Sequence, residues 1–461
     1  MKDRYDLIVI GAGPAGYVGA VEAASLNKSV LVVECREAGG TCLNRGCVPT
    51  KTLLHSAELF AEIKSAERLG IAAEKVTVDY DKMTARKDEI VAKLRGGIEL
   101  LFKQNGIDYV ESSATIKNSG AVTVGGEDIR TDKILIATGS VPARIPIEGV
   151  ELSGVVTSDE LLAEKVLPKS IVIIGGGVIG IEFASLFNAL GVSVSVIEAT
   201  ERILPLLDVE LSRSVSASLK KRGVTFVTSA KVVKIEKSEG LECSYEEKGE
   251  SKMVSGERVL LSVGRRANID GLFADGFSLK TERGYIVADE SGATSEDSIY
   301  AAGDVVFGAV QLAHVASASA VNAVLSMFGE EARYDMRVVP SCVYTCPEIA
   351  SVGLSEKQAE EKGIRAITGK YLMTANARTL IETDERGFVK VVFDGDSKRI
   401  IGAQLMCPRA TDMVAELSTA IVSGLTAKDM LRTIKPHPTF AEGIAEAVED
   451  AAKKLCERKP I

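Results

Sequence analysis

A glycine-rich loop between a predicted strand and a predicted helix occurs twice in this chain and constrains its fold more than any other feature. The loops are residues 11–16 and 175–180, and each follows a short apolar strand. The strand after each predicted helix ends at an acid, Glu34 or Glu198, which lies 23 residues after the first glycine of its loop. One such loop is weak evidence, but two with equal spacing predict two dinucleotide-binding βαβ units.

The residue types in these two units suit a bound dinucleotide. Glycines let the backbone approach a pyrophosphate, the helix N-terminus attracts its negative charge, and the acid accepts hydrogen bonds from ribose hydroxyls. The positions predicted to act in this way are Gly11, Gly13, Gly16 and Glu34 in the first unit and Gly175, Gly177, Gly180 and Glu198 in the second. The alternative is a pair of tight strand-to-helix turns that hold no ligand. The acid at position 198 also favours NAD over NADP, because a carboxylate repels a 2′-phosphate.

The length and the hydrophobic pattern of the chain predict an α/β fold. At about 150 residues per domain, 461 residues correspond to roughly three domains. We predict two Rossmann-like dinucleotide-binding domains, followed by an α+β domain with strands at residues 388–393 and 400–405 and helices at 412–422 and 440–454. The predicted boundaries are residues 1–142, 143–264, 265–336 for a central segment that returns to the first domain, and 337–461 for the C-terminal domain.

Charge and hydropathy exclude several classes of protein. The net charge is −9 and no long basic run occurs, so nucleic-acid binding is not expected. The start of the chain lacks the order of a signal peptide, and no apolar run reaches the ~20 residues of a membrane span. We therefore expect a cytoplasmic protein without a membrane partner. In that compartment most cysteines are reduced, so a close pair indicates a catalytic or metal-binding role.

Two cysteines, Cys42 and Cys47, directly follow the first nucleotide unit. In a straight α-helix their spacing gives about 7.5 Å of rise, more than the ~4.4–6.8 Å between Cα atoms that a disulfide permits. The segment must bend if the pair is to close, and Gly46 provides the freedom to do so. Pro49 is well placed to open a helix, which would put Cys47 near a helix N-terminus that favours its thiolate. The alternatives are two unconnected thiols and half of a zinc site, although zinc usually takes closer cysteine pairs with further ligands nearby.

Of the three histidines, His437 has the most restrictive surroundings, because it lies between Pro436 and Pro438 just before a predicted helix. This rigid context favours a functional group held in place, and an imidazole suits proton transfer near neutral pH. We interpret His55, on the helix after the cysteine pair, as structural, and His314 as a packing residue at a helix start.

Along essentially its whole length the chain resembles the flavoprotein disulfide reductases. Residues 40–51, Gly-Thr-Cys-Leu-Asn-Arg-Gly-Cys-Val-Pro-Thr-Lys, are most similar to the branch of that family that oxidises dihydrolipoamide. Glutathione and trypanothione reductases typically carry lysine at the position of Thr50. Residues 311–314, 344–353 and 437–442 extend the similarity. The resemblance implies an FAD domain, an inserted NAD domain, a short return segment and a C-terminal dimer-interface domain.

The same resemblance implies roles for individual residues. Cys47 would lie against the flavin and exchange electrons with it, and Cys42 would exchange with the substrate sulfur. His437, oriented by Glu442, would be the general acid–base and would reach in from the other subunit of a homodimer. The further cofactor-binding positions that it implies are Thr41, Lys51 with its partner Glu182, Ala114, Gly139, Asp304, Ala313, Val232 and Gly264; no metal site is predicted.

The expected activity is oxidation of protein-bound dihydrolipoamide to lipoamide through a Cys42–Cys47 disulfide and FAD, with reduction of NAD. The expected partner is a lipoyl-bearing acyltransferase or carrier protein of a 2-oxoacid dehydrogenase or glycine cleavage complex. One alternative is another NAD(P)H-dependent disulfide or Hg(II) reductase of the same fold. Mercuric reductases usually end with a cysteine pair, whereas only Cys456 lies near this terminus. A redox-silent FAD/NAD-binding module is an alternative of a different class, which the cysteine pair, Lys51 and His437 disfavour.

Overall fold

The first unit of the computed structural model, which describes residues 2–383 and 385–456, is built on a seven-stranded sheet. Its strand Arg4–Ile10 pairs in parallel with Val30–Glu34 on one side and with Glu127–Ile136 on the other. The first two of these strands are largely buried runs of Val, Ile and Leu, as expected where helices cover both faces of a parallel sheet. The other strands of this sheet are Asp108–Glu111, Ala114–Asn118, Ala121–Val124 and Ile299–Ala301.

Helices cover the first sheet and carry the cysteine pair. Helix Pro14–Ser25 begins directly after the first glycine loop, with its proline at a position that needs no N–H donor. It packs on helix Ala313–Met327 through small residues, and a Cβ on Gly19 would lie only 2.9 Å from Leu135. The other helices of this unit are Gly40–Arg45, Cys47–Lys64, the 3₁₀ turn Ala66–Leu69, and Tyr80–Gln104.

The second unit repeats the strand–loop–helix pattern on its own five-stranded parallel sheet. The order of its strands is Thr225–Val227, Ser193–Ile197, Ser170–Ile174, Arg258–Leu261 and Val155–Thr157. Its helices are Ser158–Leu161, Val178–Ala189 and Val209–Lys221. The unit also carries a three-stranded antiparallel sheet of Ala230–Lys237, Leu241–Glu247 and Glu250–Gly256.

The chain enters and leaves the second unit at neighbouring positions. Strand Ser140–Pro142, on the way in, pairs antiparallel with Arg265–Ala267 on the way out. A small hairpin of Thr281–Glu282 and Tyr285–Ile286 follows, and strand Ile299–Ala301 then joins Glu127–Ile136 of the first sheet. This return places Asp304 at the carboxyl end of the first sheet, where ligands of open α/β sheets bind.

The C-terminal unit contains a five-stranded antiparallel sheet with helices packed against it. The order of its strands is Ser341–Val343, Ile349–Gly353, Ile400–Met406, Phe388–Asp394 and Ala366–Leu372. Its helices are Glu356–Glu361, Ala377–Glu382, Ala410–Val422, Ala427–Met430 and Glu442–Cys456, with a 3₁₀ turn at Met373–Ala375. Helix Glu442–Cys456 packs on the two strands farthest along this order, where a Cβ on Gly369 would lie 2.0 Å from the carbonyl oxygen of Ala447.

The predicted α/β class is confirmed, while some boundaries differ. The helix expected to open at Pro49 begins two residues earlier, at Cys47, because Gly46 rather than the proline interrupts the preceding helix. The last helix begins at Glu442 instead of residue 440. Residues 457–461 of the predicted C-terminal domain lie outside the described residues. Within residues 2–383 and 385–456, no helix combines the length and apolar character needed to cross a membrane.

Candidate active site

A cavity of about 1940 Å³ lies between the first and second units and receives both glycine loops. Typical ligand pockets measure roughly 300–1,000 Å³, so this cavity has room for two large ligands. The sequence-predicted positions that line it are Gly13, Glu34, Thr41, Cys42, Cys47, Lys51, Gly139, Gly175, Gly177, Glu182, Glu198, Val232, Gly264, Asp304 and Ala313. Residues from at least five separate stretches of the chain, between positions 13 and 313, therefore meet in one space.

The first and third glycines of each loop allow tight chain packing. Gly11 has φ +102°, and a Cβ there would lie 2.4 Å from the carbonyl oxygen of Ala137; a Cβ on Gly16 would lie 1.8 Å from that of Gly11. The second loop has the same geometry, with φ +108° at Gly175 and 2.1 Å from a Cβ on Gly180 to the Gly175 oxygen. These glycines let strand, loop and helix approach closely, so Gly11, Gly16 and Gly180 act from behind the cavity wall.

The middle glycine of each loop faces open space instead. A Cβ on Gly177 would meet nothing within 4 Å, and one on Gly13 would meet only the Cα of Gly40 at 3.7 Å. Both glycines line the cavity at the N-terminus of a helix. The backbone is therefore bare where a phosphate can approach a helix N-terminus, which fits a pyrophosphate at each loop.

The acids after the second strands are held in the same way in both units. Glu34 accepts hydrogen bonds from the backbone N–H of Ala12 at 2.8 Å and of Arg36 at 2.9 Å. Glu198 accepts from the N–H of Gly176 at 2.6 Å and of Thr200 at 2.7 Å. Each carboxylate is thus fixed against its own glycine loop, buried on the cavity wall, where it can accept from a ribose hydroxyl.

Two hydroxyl groups on the first-unit side of the cavity also suit a polar ligand. Ser140 donates from Oγ to Oδ2 of Asp304 at 2.6 Å and accepts from Nε of Arg265 at 2.7 Å. Among the residues that the structure describes, the Oγ1 atom of Thr138 is buried without a hydrogen-bonding partner, and Thr138 lines the cavity. A buried hydroxyl without a partner is uncommon, so the cavity wall offers Thr138 and Asp304 to a ligand with hydroxyl or amide groups.

The bend predicted between the two cysteines is present at Gly46. Helix Gly40–Arg45 stops there, the backbone takes φ −142° and ψ −109°, and helix Cys47–Lys64 starts. The bend brings the two thiols into hydrogen-bonding contact, in the reduced dithiol form. The sequence motif had predicted this contact only on condition that the segment bends.

The contact makes the two thiols electrostatically unequal. The hydrogen bond with Cys47 and partial burial raise the pKa of Cys42 far above its usual value. The hydrogen bond from Cys42, helped by the positive charge of Lys51, lowers the pKa of Cys47 to about 7. Cys42 therefore holds the proton near neutral pH, and Cys47 is available as the thiolate.

Lys51 lies one turn after the cysteines and is tied to the second unit. Its Nζ donates to Oε2 of the buried Glu182 at 2.6 Å and lies 4.6 Å from the centroid of the Tyr344 ring. The other oxygen of Glu182 accepts from the backbone N–H of Tyr344 at 3.1 Å. Three parts of the chain thus meet at one ammonium group. The aromatic ring was missed by sequence reasoning, because its contact joins residues far apart in the sequence.

Asn44, between the two cysteines, holds the bend in position. Its Nδ2 donates to the carbonyl oxygens of Ala38 at 2.9 Å and Gly40 at 3.0 Å, and its Oδ1 accepts from Nε of Arg95 at 3.0 Å. Arg95 comes from the long helix Tyr80–Gln104, which therefore supports the redox segment from behind. Neither residue was predicted as part of the site.

His437 and Glu442 lie outside the cavity of their own subunit. The Nδ1 atom of His437 is 2.8 Å from Oε1 of Glu442, and the other carboxylate oxygen accepts from the N–H of Thr439 at 2.8 Å. These bonds, the one from Thr439 first, lower the pKa of Glu442. The imidazole side chain is 71% exposed. The chain thus presents an oriented histidine outward, away from its own thiols.

Two other predicted positions differ from their expected surroundings. Ala114 begins an edge hairpin of the first sheet, paired with Val124, and does not line the cavity. His55, interpreted as structural, is exposed on helix Cys47–Lys64. His314 does line the cavity, and its Nε2 lies 2.8 Å from the carbonyl oxygen of Pro340. Among residues 2–383 and 385–456, no three His, Cys, Asp or Glu side chains could jointly hold a metal ion.

Comparison with known families accounts for most of the chain. Residues 5–320 match the family described as pyridine nucleotide-disulphide oxidoreductase. Residues 339–448 match the dimerisation domain of the same family, and this range includes His437 and Glu442.

Individual proteins resemble the chain over nearly its whole length. Dihydrolipoyl dehydrogenase of Bacillus subtilis (strain 168) is 40% identical across 97% of this chain and 98% of its own, and that of Rhizobium etli is 36% identical across 98% of both. Among solved structures, LpdA of Mycobacterium tuberculosis superimposes with a TM-score of 0.89 at 27% identity, covering 96% of this chain and 99% of its own. The HOCl-induced flavoprotein disulfide reductase RclA of Escherichia coli gives 0.87 at 29% identity, with the same coverage.

Proposed function

The chain belongs to the pyridine nucleotide-disulphide oxidoreductase family, and we propose that within it the protein is a dihydrolipoyl dehydrogenase. It is an FAD- and NAD-dependent dithiol–disulfide oxidoreductase. The observation that carries the proposal is the pair of touching thiols, Cys42 and Cys47, in a cavity shared by two dinucleotide loops. Neither cysteine can reduce a nicotinamide directly. Bound FAD would supply the two-electron carrier between the thiols and the nicotinamide.

The fit of the cavity supports an assignment of its two ends. We assign FAD to the first unit, with Gly13 at the pyrophosphate, Gly11 and Gly16 shaping the loop behind it, Glu34 at a ribose and Asp304 at the ribityl chain. Further first-unit contacts are assigned to Thr41, Lys51, Ala114, Gly139 and Ala313. We assign NAD to the second unit, with Gly175, Gly177, Gly180, Glu182, Glu198, Val232 and Gly264. Ala114 has the least support in the set, since it neither lines the cavity nor shapes a glycine loop.

The unequal thiols suggest the course of the exchange with a dithiol substrate. A substrate thiolate attacks the Cys42 sulfur of the enzyme disulfide, and Cys47 leaves as a thiolate, because the lower-pKa sulfur is the better leaving group. The second substrate thiolate then attacks the first substrate sulfur, which closes the substrate disulfide and releases Cys42. Cys42 takes up a proton, as its raised pKa favours. The substrate loses two electrons, and the enzyme dithiol gains them for transfer to NAD.

A base must remove the protons from the substrate thiols, and we assign this role to His437 of the other subunit in a homodimer. Its ring is oriented by Glu442 at 2.8 Å and faces outward from its own chain. An imidazole can accept a thiol proton near neutral pH and return it in the reverse reaction. The match of residues 339–448 to a dimerisation domain supports a dimer in which the histidine of each subunit serves the active site of the other.

The substrate is proposed to be dihydrolipoamide on a lipoyl-bearing acyltransferase or carrier protein of a 2-oxoacid dehydrogenase or glycine cleavage complex. The names of the relatives with 36–40% identity support this substrate class. The nicotinamide cofactor is NAD, in agreement with the carboxylate of Glu198 and with Arg202, the cation that follows it closely, whose terminal nitrogens are engaged by two backbone carbonyls.

The test is a steady-state comparison of dihydrolipoamide, glutathione disulfide and Hg(II) on the FAD-loaded enzyme. We expect turnover with dihydrolipoamide and NAD to exceed the others by a wide margin. Cys42→Ser and Cys47→Ser should each abolish it while FAD stays bound. Preference for glutathione disulfide or Hg(II) would move the protein to another branch of the family, and full lipoamide activity in either serine variant would refute the role of the cysteines.

A further inference from the structure

We propose that Arg202 and Lys390 are positioning residues for the nicotinamide nucleotide, because together they hold one wall of its pocket in place. That wall is the segment of residues 203–207, called here the nucleotide loop, which follows the Glu198 turn. The inference rests on the proposed function, which assigns NAD to the second unit. The C-terminal unit, through Lys390, thereby supports the nucleotide site of the same chain from the residue that follows the loop.

The nucleotide loop has a strained backbone that contacts the second glycine loop. Leu204 adopts φ +47°, a left-handed conformation that a leucine keeps only where its surroundings enforce it. Its N–H donates to the carbonyl oxygen of Gly176 at 2.8 Å. A Cβ on Gly176 would lie 3.1 Å from the side chain of Ile203, so the two loops are already in contact. Any shift of the nucleotide loop would therefore also move the second glycine loop at the pyrophosphate site.

The loop presents an apolar surface to the cavity. Pro205, Leu206 and Leu207 all line it, and Leu206 is 93% exposed in spite of its size. A large exposed apolar side chain at a cavity wall, close to Glu198, suits the flat face of a nucleoside bound there. Binding of a nucleoside would depend on the position of this apolar surface. Because the loop contains a strained residue, contacts from outside the loop are needed to hold the surface in that position.

Arg202 supplies the first support. Its Nη1 donates to the carbonyl oxygen of Leu207 at 3.1 Å, and its Nη2 donates to that of Pro205 at 2.6 Å. The planar guanidinium thus spans the loop and satisfies two carbonyls that would otherwise need water. Because both terminal nitrogens are engaged, Arg202 is a brace of the loop rather than a receptor for a 2′-phosphate.

Lys390 supplies the second support from the C-terminal unit. It lies on strand Phe388–Asp394 with its side chain 7% exposed, and its Nζ is 2.9 Å from Oδ1 of Asp208. It also lies 3.4 Å from Oε2 of Glu210. Asp208 is the residue after the nucleotide loop, and it caps helix Val209–Lys221 by accepting from two backbone N–H groups. A buried lysine facing Asp208 fixes the end of the loop, since removing it takes away the cation that faces this carboxylate. Glu210 keeps a second cation, because its other oxygen pairs with Lys370.

The test compares Arg202→Met and Lys390→Met with the exposed controls Arg213→Met and Lys362→Met, which make the same chemical changes elsewhere. We expect the two loop variants to raise the KM and the Kd for NADH roughly tenfold, as for lost ground-state binding, with kcat changed less than about twofold. The KM for dihydrolipoamide should stay at the wild-type value. Both controls should match the wild type in every constant.

A second variant guards against a folding defect. Lys390→Met removes the cation that faces Asp208, whereas Glu210 keeps its pair with Lys370. Lys390→Met combined with Asp208→Asn therefore removes the facing charge as well, and thermal unfolding shows whether each variant is folded. The double variant should show the same weakened NADH binding. Unchanged NADH affinity in folded Arg202→Met and folded double variants would overturn the proposal, as would a loss at Arg202→Met confined to NADPH.

Direct titration with NADH, read by nucleotide fluorescence, keeps this proposal separate from the proposed function. If the wild type binds NADH but does not oxidise dihydrolipoamide, the substrate assignment fails while the affinities of the loop variants still decide the role of Arg202 and Lys390. If the wild type turns over dihydrolipoamide and the loop variants bind NADH normally, only the positioning role fails.

Discussion

The two active-site cysteines have identical side chains, but their pKa values differ. The hydrogen bond from Cys42 and then the charge of Lys51 lower the pKa of Cys47 to about 7, from a usual value near 9. In the dithiol form its thiolate fraction therefore rises as the pH rises through about 7 and falls below it. A lowered pKa contributes stability that is present above the usual value and is lost as the pH falls through the folded value, so Cys47 stabilises the reduced enzyme less at pH 7 than at pH 9. The raised pKa of Cys42 has the opposite effect above pH 9, which confines the gain to this window.

At residue scale the first prediction concerns Lys51. Lys51→Met removes a positive charge that favours the thiolate, so the pKa of Cys47 should rise and the thiolate at neutral pH should fall about tenfold or more. The pH profile for reduction of NAD by dihydrolipoamide should move to higher pH, as measured by rapid mixing. Lys64→Met, at the far end of the same helix, is the matched control and should keep the profile. An unshifted profile in Lys51→Met would contradict the electrostatic role.

A second residue-scale prediction concerns His437. His437→Gln should lower the rate of dihydrolipoamide oxidation by roughly 10²–10⁴, the usual loss for a general acid–base. Reduction of FAD by NADH should remain largely intact, because that half-reaction does not involve the substrate thiols. His55→Gln makes the same change at another exposed histidine and should have no effect. Equal losses in both half-reactions would indicate structural damage instead.

At the scale of elements, the glycines of each loop have two separate roles. The first and third allow close packing of the chain, and the middle one leaves room for a ligand. Gly175→Ala places a Cβ 2.4 Å from the carbonyl oxygen of Ser262 at φ +108°, whereas Gly177→Ala meets nothing within 4 Å. We expect the first change to destabilise the enzyme by about 1–3 kcal/mol. The second should cost less than about 0.5 kcal/mol and weaken NADH binding instead. Chemical denaturation and NADH titration of both variants measure the two effects, and similar stability in both would contradict the division.

The elements that carry the site differ in how far the sequence alone predicts them. The glycine loops and the cysteine segment are short and continuous, so local spacing predicts both their form and their chemistry. Tyr344, Arg265 and Lys390 act through contacts with residues far away in the chain, and no local pattern indicates those contacts, although Tyr344 begins one of the motifs that carry the family similarity. The buried position of Lys390 was especially hard to predict, because a lysine in a strand normally indicates a solvent-facing position.

At the scale of the whole molecule, two chains are needed for one active site under the proposed function. A heterodimer of one Cys47→Ser chain and one His437→Gln chain should retain one intact site and about half of the wild-type activity if the histidine acts across the interface. If it acts within its own chain, both sites are inactive. The measurement is lipoamide turnover of a purified, differentially tagged heterodimer. Homodimers of each variant serve as controls and should be inactive or severely impaired.

The architecture was predictable from sequence patterns to the level of units, whereas the contact between the first two units was implied only by the family resemblance. Repeated motifs indicated two similar nucleotide folds and a C-terminal α+β fold, and the sheets have these forms. The cavity between them depends on how Glu182 of one unit meets Lys51 of another, 131 residues apart in the sequence. The outward orientation of His437 likewise depends on tertiary packing that the flanking prolines only suggested.

The paired strands Ser140–Pro142 and Arg265–Ala267 bring the two ends of the second unit side by side. A unit joined to its host through adjacent ends can be exchanged as a cassette, because its replacement need not stretch or cut the surrounding sheet. In evolution such a joint allows the nicotinamide-binding half to diverge, or to be acquired anew, while the thiol chemistry of the host is preserved. In the laboratory the same joint marks where a domain of altered cofactor preference could be grafted.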